Sequence, residues 1–163
     1  MSYQMQKNIL FLVPDNNARG GISNFYSLLK KHYPSNYYYL CRGARNFPNR
    51  KGEIFEFLRI INDYLRFILF IITHRISVIQ TSTSLNKNAV IRDGIYIIIA
   101  KLFQKKVIVF YRGWSIEYAN SISNNRLFKF VFFKADATVL LTQTAKKKLI
   151  EWGYKKKIFI SST

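Results

Sequence analysis

Short apolar runs of strand length alternate along this chain with longer stretches in which apolar residues recur every three or four positions. This alternation is typical of parallel β-α-β units, in which a helix crosses between successive strands of one sheet. Six runs, mostly continuous in β-branched or aromatic residues, are predicted to be strands buried on both faces: Asn8–Val13, Tyr37–Cys41, Ser77–Gln80, Val107–Tyr111, Ala137–Leu141 and Ile158–Ile160. The sequence therefore predicts an α/β fold with a doubly wound, Rossmann-like, mostly parallel six-stranded sheet and helices on both faces.

Five helices are predicted between these strands, over residues 22–33, 53–74, 86–104, 123–134 and 143–152. Thr142 is the expected N-cap of the last helix, and Gly153 stands where a left-handed residue should end it. The helix over 53–74 has a wide apolar face with basic flanks, which we expect to pack in the core; contact with an anionic bilayer is the alternative. Its main stripe consists of Ile54, Leu58, Ile61, Leu65, Ile68 and Ile72.

The length of 163 residues predicts one domain over residues 1–163, with a single core. The net charge of +18 indicates attraction to nucleic acid, anionic membrane or phosphorylated ligands, without choosing among them.

The apolar runs are shorter than the roughly 18 residues of a spanning helix. The lone Cys41 excludes an internal disulfide. Without a recognisable targeting segment, we expect a cytoplasmic protein.

Ligands of an open parallel sheet bind beyond the carboxyl ends of its strands. The segments expected there are PDNNARGG, TSTSLNKN, RGWSIEY and TQT, which are rich in hydroxyls, glycines and basic groups. Gly20-Gly21 allows close approach to a phosphate at a helix N-terminus; the alternative is that the pair only closes a strand-to-helix turn. The chain has neither G-x-x-x-x-G-K-[ST] nor G-x-G-x-x-G, and the second strand ends in Cys41-Arg42 rather than an acidic residue. We therefore expect no nicotinamide or other cofactor.

No metal site is expected either. His32 and His74 fall on different predicted helices, without a Cys or carboxylate at the spacing of a metal ligand set.

Three segments resemble the amino-terminal domain of family 4 glycosyltransferases of the GT-B fold. ILFLVPDNNARGGISNFYSLL is similar to that family's first strand, Gly-Gly loop and first helix, and IQTSTSLNKNAVIRDGIYIIIAKLFQKKVIVFYRGWS to its third strand, a helix containing Arg-Asp and a fourth strand ending in a His-Gly loop. ADATVLLTQTAKKKLIEWGYKKKIFISST resembles the fifth strand, helix and sixth strand. The resemblance spans nearly the whole chain.

The resemblance implies one half of a retaining hexosyltransferase, which transfers a sugar from a nucleotide sugar to a glycan or lipid-diphosphate acceptor. The carboxyl-terminal domain that binds the nucleotide sugar has no counterpart here, so we expect a fragment that is inactive alone. Carried over, Gly20 and Gly21 match the loop near the donor diphosphate, and Arg112-Gly113 stands where the family has His-Gly. The further binding residues expected are Trp114, Arg19, Ser82, Thr83 and Thr142; no catalytic residue is assigned. Trp114 is expected to stack on a sugar ring, and the alternative is that it only packs at the strand end.

Two alternatives remain open at this point. Arg112 either clamps a phosphate bidentately or pairs with a carboxylate such as Glu117 or Asp93. The second function class is a basic polyanion-binding module without catalysis, in which RLFKFVFFK (126–134) holds single-stranded nucleic acid. That class is the weaker prediction, and nucleic acid is not an expected partner. An anionic membrane surface remains an expected partner, with the protein peripheral on the inner face of the plasma membrane.

Overall fold

The computed structural model describes residues 8–14, 21–30, 37–42 and 52–161. The elements in those ranges are β1 (Ile9–Val13), α1 (Gly21–Lys30), β2 (Tyr37–Cys41), α2 (Glu53–Thr73), β3 (Val78–Leu85), α3 (Lys87–Leu102), β4 (Lys106–Trp114), α4 (Ile116–Ile122), α5 (Arg126–Phe132), β5 (Ala137–Leu140), α6 (Gln143–Glu151) and β6 (Lys157–Ile160). The strands form an all-parallel six-stranded sheet in the order β2-β1-β3-β4-β5-β6, flanked by the helices. This confirms the predicted doubly wound, Rossmann-like α/β fold.

By its contacts the chain divides into two compact units, Met1–Ser77 and Val78–Thr163. In the first unit β1 runs parallel to β2, with Ile9 opposite Tyr37 and Val13 opposite Cys41. Phe11, Val13 and Tyr26 form a buried cluster between these strands and α1, and Cys41 packs against it. The helix predicted over 22–33 is α1, and residues 31–36 and 43–51 lie outside the described residues.

Helix α2 does not bury the apolar stripe that the sequence assigned to the core. Of the six residues of that stripe, Ile54, Leu58, Ile61, Leu65 and Ile72 are between 39% and 74% exposed. The buried side chains of α2 are instead Asp63, Phe67 and Ile71. The expectation of core packing was wrong because helical spacing shows that residues share one face, but not which face the fold covers.

The predicted basic flanks of α2 are also compensated within the helix. The Arg59 guanidinium donates to Glu56 at 2.7 Å and to Asp63 at 3.1 Å, and Arg66 lies 3.9 Å from the other oxygen of Asp63. These pairs allow the Asp63 carboxylate to be buried, because a buried charge needs a partner. With Glu53, Glu56 and Asp63 against Arg59 and Arg66, helix α2 itself carries no excess of positive charge.

In the second unit β4 pairs with β3 on one side and β5 on the other, and β5 pairs with β6. Thr142 caps α6 as predicted, its hydroxyl oxygen accepting a hydrogen bond from the Ala145 N–H at 3.2 Å. Gly153, with φ +99°, is the predicted left-handed residue. These two local predictions are confirmed because each depends on a few adjacent residues.

The region between β4 and β5 differs from its prediction. A single helix was expected over 123–134, whereas α4 covers Ile116–Ile122 and α5 only Arg126–Phe132. Ser115 caps α4 through the Tyr118 N–H, and Asn125 caps α5 through the Phe128 N–H. The short, polar α4 was missed because a seven-residue helix has too few turns for a clear apolar period.

Asp136 ties three elements of the second unit together just before β5. Its carboxylate oxygen Oδ2 accepts hydrogen bonds from the Val107 N–H at 2.7 Å and from the Lys101 ammonium at the end of α3. Its own N–H donates to the Val107 carbonyl at 2.8 Å. Burial alone would raise the pKa of the Asp136 carboxyl, but these hydrogen bonds and the charges of Lys101 and Lys156 lower the pKa below its ordinary 3.8.

Across the four described ranges, no helix combines the length and the apolar character needed to cross a bilayer.

We predict that Asp136→Asn makes stability less dependent on pH in the acid range. A carboxyl whose pKa is lowered by folding stabilises the protein above its unfolded pKa, and that contribution is lost as pH falls through the folded pKa. The free energy of unfolding, measured by urea denaturation, should therefore be lower in the variant at pH 7. The difference between the two proteins should shrink below pH 3.8. A difference that stays constant down to pH 2.5, roughly the lowest usable value, would contradict this role.

Candidate functional site

The carboxyl ends of β3 and β4 are shaped by a one-residue bulge. Thr83 pairs with Tyr111, but the next residue, Ser84, pairs with Gly113, so Arg112 is an extra residue on β4. A bulge interrupts the alternation of side chains and re-aims those at its site, and bulges are common beside active sites. Arg112 thus occupies an irregular place in the strand.

Both strands extend further than the sequence predicted. TSTSLNKN was expected to be a loop, but β3 continues to Leu85 and Asn86 caps α3, accepting a hydrogen bond from the Ala89 N–H at 3.0 Å. RGWSIEY was also expected to be a loop, but β4 continues to Trp114 and α4 begins at Ile116. These boundaries were wrong because Ser and Thr hydroxyls are typical of loops, whereas the β-branched Thr also fits a sheet.

Ser82 and Thr83, predicted as weaker ligand contacts, lie inside β3. Ser82 is buried and Thr83 is fully so. The Thr83 hydroxyl donates to the Ser84 carbonyl at 3.4 Å. Their contact with a ligand stays a prediction, and their observed surroundings are those of strand residues within the sheet.

Gly113 lies where β3 passes close to β4. A Cβ atom at this position would lie 2.9 Å from Oγ and 3.1 Å from Cβ of Ser84. An alanine here would therefore require the Ser84 side chain to rotate and the two strands to move apart by a few tenths of an ångström. The structure supplies a reason for Gly113 that is independent of the ligand contact predicted for it.

The Arg112 guanidinium lies over the Phe110 ring, with 4.0 Å between its carbon and the ring centroid. Cation–π stacking of this kind holds the planar group in a defined orientation. Of the two carboxylates considered as its partner, Asp93 is fully buried and accepts hydrogen bonds from Arg92 at 3.0 and 3.2 Å, whereas Glu117 lies in the first turn of α4.

Trp114, predicted to stack on a sugar, belongs to an aromatic cluster. Its indole stacks on that of Trp152, with centroids 5.5 Å apart, and meets the Tyr111 ring edge-on at 5.8 Å. Burial, followed by the charges of Tyr154 and Asp93, holds the pKa of Tyr111 well above its ordinary value, so its phenol stays protonated at neutral pH. Trp114 is half-buried, and sugar stacking by its remaining face stays a prediction.

The other predicted residues are Thr142, Gly21, Gly20 and Arg19. Thr142 lies at the start of α6, where its oxygen is engaged as the N-cap. Gly21 is the first residue of α1, in the unit formed by residues 1–77. Arg19 and Gly20 lie outside the described residues.

Sequence reasoning missed an apolar groove of about 370 Å³ between α3, α4 and α5. Tyr118 and Ile122 of α4 form part of its wall, and burial raises the pKa of the Tyr118 phenol. Because α4 itself was not predicted, no periodic signal placed these residues opposite α3. The sequence signal available for the groove was the spacing of Ile91, Ile95 and Ile98, which places them on one side of α3.

Within residues 8–14, 21–30, 37–42 and 52–161, no group of three or more His, Cys, Asp or Glu side chains is placed to hold a metal ion. His74 stacks on Phe70 with ring centroids 3.9 Å apart, and its Nδ1 lies 2.7 Å from the Thr73 hydroxyl. Comparison with the models of known protein families gives no match, and no curated protein matches the chain.

We predict that Gly113→Ala destabilises the protein by about 1–3 kcal/mol, because an overpacked contact forces the strands apart. Ser84→Gly in the same chain removes both atoms that the new Cβ would meet, so the double variant should recover much of the loss. The measurement is a double-mutant cycle of unfolding free energies. Additive effects of the two substitutions would contradict the close approach of β3 and β4.

Proposed function

We propose that this chain is the acceptor-side domain of a retaining glycosyltransferase, one that transfers a sugar from a nucleotide sugar to a glycan or lipid-diphosphate acceptor. The order of the strand, loop and helix motifs supports the proposal, as does the all-parallel sheet. The observation that carries most weight is the bulge at the carboxyl end of β4. It gives Arg112 an irregular position in the same place where the resembling family has its functional histidine.

Arginine at this position favours contact with phosphate oxygens. A guanidinium is planar, is always charged and donates two parallel hydrogen bonds to a phosphate or carboxylate, which an imidazole does not. The Phe110 ring beneath Arg112 limits its rotation and reduces the entropy lost on binding. We therefore assign Arg112 to the diphosphate of a lipid-linked acceptor or of the donor.

Charge then develops on phosphate oxygens as the nucleoside diphosphate leaves, and fixed N–H donors and cations stabilise it. In the second unit the candidate is Arg112. A separate candidate, in the first unit, is the amino end of α1, since the first N–H groups of a helix have no partner within the helix and attract anions. Gly20 and Gly21 remain candidates for that second contact. The other donor contacts are assigned to a second domain outside this chain, and no general base is assigned.

The alternative, a polyanion-binding module, has less support. Base stacking on RLFKFVFFK needs exposed rings, but Phe128 and Phe132 are buried in the second unit. Phe130 is the exposed phenylalanine of α5, and it carries Lys134 at 3.9 Å over its ring. The Phe128 and Phe132 rings pack on the core side of α5 and offer no surface on which a base could stack.

We predict that Arg112→Ala weakens binding of farnesyl diphosphate about tenfold or more, because a charge-assisted hydrogen bond contributes roughly 1.5–3 kcal/mol. Arg112→Lys should keep the charge but recover only part of the affinity, since an ammonium lacks the bidentate geometry. Calorimetric titration at about 150 mM salt, where exposed charges are screened beyond about 8 Å, is the measurement.

Lys155→Ala is the matched control, because it removes the same charge from an exposed position after α6. It should bind farnesyl diphosphate as the parent chain does. Equal losses in the two alanine variants would mean that the ligand responds only to net charge, and the assignment of Arg112 would fail.

We also predict that the coding sequence following Thr163 encodes a second α/β domain with two glutamates about eight residues apart, in keeping with the need for donor-phosphate contacts outside this chain. The protein that contains both domains should hydrolyse or transfer sugar from a nucleotide sugar, measured as release of nucleoside diphosphate. A stop codon at that point would contradict the proposed two-domain enzyme.

A further inference from the structure

Two helices of the second unit leave a row of apolar side chains exposed. The row, named the α3–α5 face, consists of Ile91, Ile95, Ile98 and Leu102 on α3 and Leu127 and Phe130 on α5. Leu127 is 71% exposed and Phe130 is 63% exposed. Isolated exposed apolar residues are ordinary, but a contiguous set on two packed helices indicates a surface that contacts something apolar.

The α3–α5 face borders the groove of about 370 Å³ described above. Ile91, Ile95, Ile98 and Leu127 belong both to the exposed face and to the groove wall. The floor includes Gly94, where even an added Cβ would only touch Phe132 and Val131 at 3.6 Å. The volume lies within the range of cavities that hold small ligands, and the wall is almost wholly aliphatic or aromatic.

The charges around this face are positive. Helices α3, α4 and α5 contain five Lys or Arg (Lys87, Arg92, Lys101, Arg126 and Lys129) and two acidic residues (Asp93 and Glu117), and Lys101 is paired with Asp136. Asp93 is fully buried and is paired with Arg92. Lys87 lines the groove, and Arg126, Lys129 and Lys134 lie on or directly after α5, beside the exposed Leu127 and Phe130.

Apolar side chains surrounded by cations fit an anionic bilayer better than the other polyanions. Nucleic acid is held by cations together with aromatic rings that stack on bases. On the α3–α5 face five of the six apolar residues are aliphatic. Aliphatic side chains offer no surface on which a base could stack, but they do enter hydrocarbon. A second copy of this chain would bring another charge of +18 to a basic surface, so self-association is disfavoured.

Helix α2 exposes more apolar residues but has a different charge pattern. Arg59 is paired with Glu56 and Asp63, and Arg66 lies 3.9 Å from Asp63. Its exposed stripe therefore has little uncompensated positive charge to attract lipid phosphates. This contrast makes α2 a suitable internal control for exposed apolar area alone.

We infer that the α3–α5 face docks on an anionic bilayer, with Leu127 and Phe130 entering the interfacial layer and the neighbouring cations meeting lipid phosphates. The inference does not depend on the proposed glycosyltransferase function, since it rests on the surface of the second unit. Each surface cation near an anionic leaflet contributes about 1 kcal/mol, and apolar insertion adds a part that salt does not screen. Binding should therefore need both anionic lipid and the apolar pair.

The test is co-sedimentation of the full chain with vesicles at about 150 mM salt, where the electrostatic attraction is reduced but not removed. One set contains phosphatidylcholine alone and the other phosphatidylcholine with phosphatidylglycerol. We expect binding to the second set, and a loss of about tenfold or more in Leu127→Ser/Phe130→Ser, because the variant removes most of the inserted apolar area.

The matched control is Phe55→Ser/Leu58→Ser on α2, which removes the same two residue types at the same spacing from positions 59% and 54% exposed. It should bind anionic vesicles within about threefold of the parent chain, a difference below 1 kcal/mol. Circular dichroism of both variants checks that the helices are retained. Since both pairs are exposed, neither variant should unfold.

Four results would overturn the inference. The first is equal binding of the parent chain to both vesicle sets. The second is equal retention or equal loss of binding by the two variants. The third is a dimer in vesicle-free buffer that Leu127→Ser/Phe130→Ser dissociates, and the fourth is loss of oligonucleotide binding, rather than of vesicle binding, in that variant. Failure of farnesyl diphosphate to respond to Arg112→Ala would count only against the proposed function.

Discussion

The parallel pairing of β3 with β4 is the interaction on which the second unit depends. It is the longest strand pairing described, and its register shift gives β4 one residue more than its partner. The same pairing brings Ser84 so close to position 113 that any side chain larger than glycine would have to displace it. Helices α3 and α4 then begin at caps that directly follow the two strands, Asn86 and Ser115. Arg112 thus has its place because of backbone register, not because of a loop that could adjust freely.

Ion pairing explains how so basic a chain distributes its charge. Within the part of the chain that the structure describes, Glu56, Asp63, Asp93 and Asp136 are paired with Lys or Arg. Asp63 and Asp93 are buried, where a carboxylate without a partner would be costly. Because these acids compensate particular cations, the net positive charge of the chain is carried by other Lys and Arg residues, which include Lys87, Arg126 and Lys129 beside the α3–α5 face.

The two exposed apolar surfaces differ in what can cover them. The stripe of α2 lies on a helix whose charges largely cancel, whereas the α3–α5 face is bordered by Lys87, Arg126, Lys129 and Lys134. Exposed apolar area favours any apolar partner, since the hydrophobic effect is not directional. Electrostatic complementarity is what separates an anionic bilayer from the alternatives.

The sequence by itself determined the elements whose signal is local: six apolar runs that became six parallel strands, the Thr142 cap and the left-handed Gly153. It did not determine how far β3 and β4 extend, because Ser and Thr side chains satisfy either a loop or a buried strand. Nor did it determine which face of α2 is covered, that Arg112 is a bulged residue, or that α3, α4 and α5 enclose a groove. Those features depend on register and packing between segments distant in sequence, and only the tertiary structure fixes them.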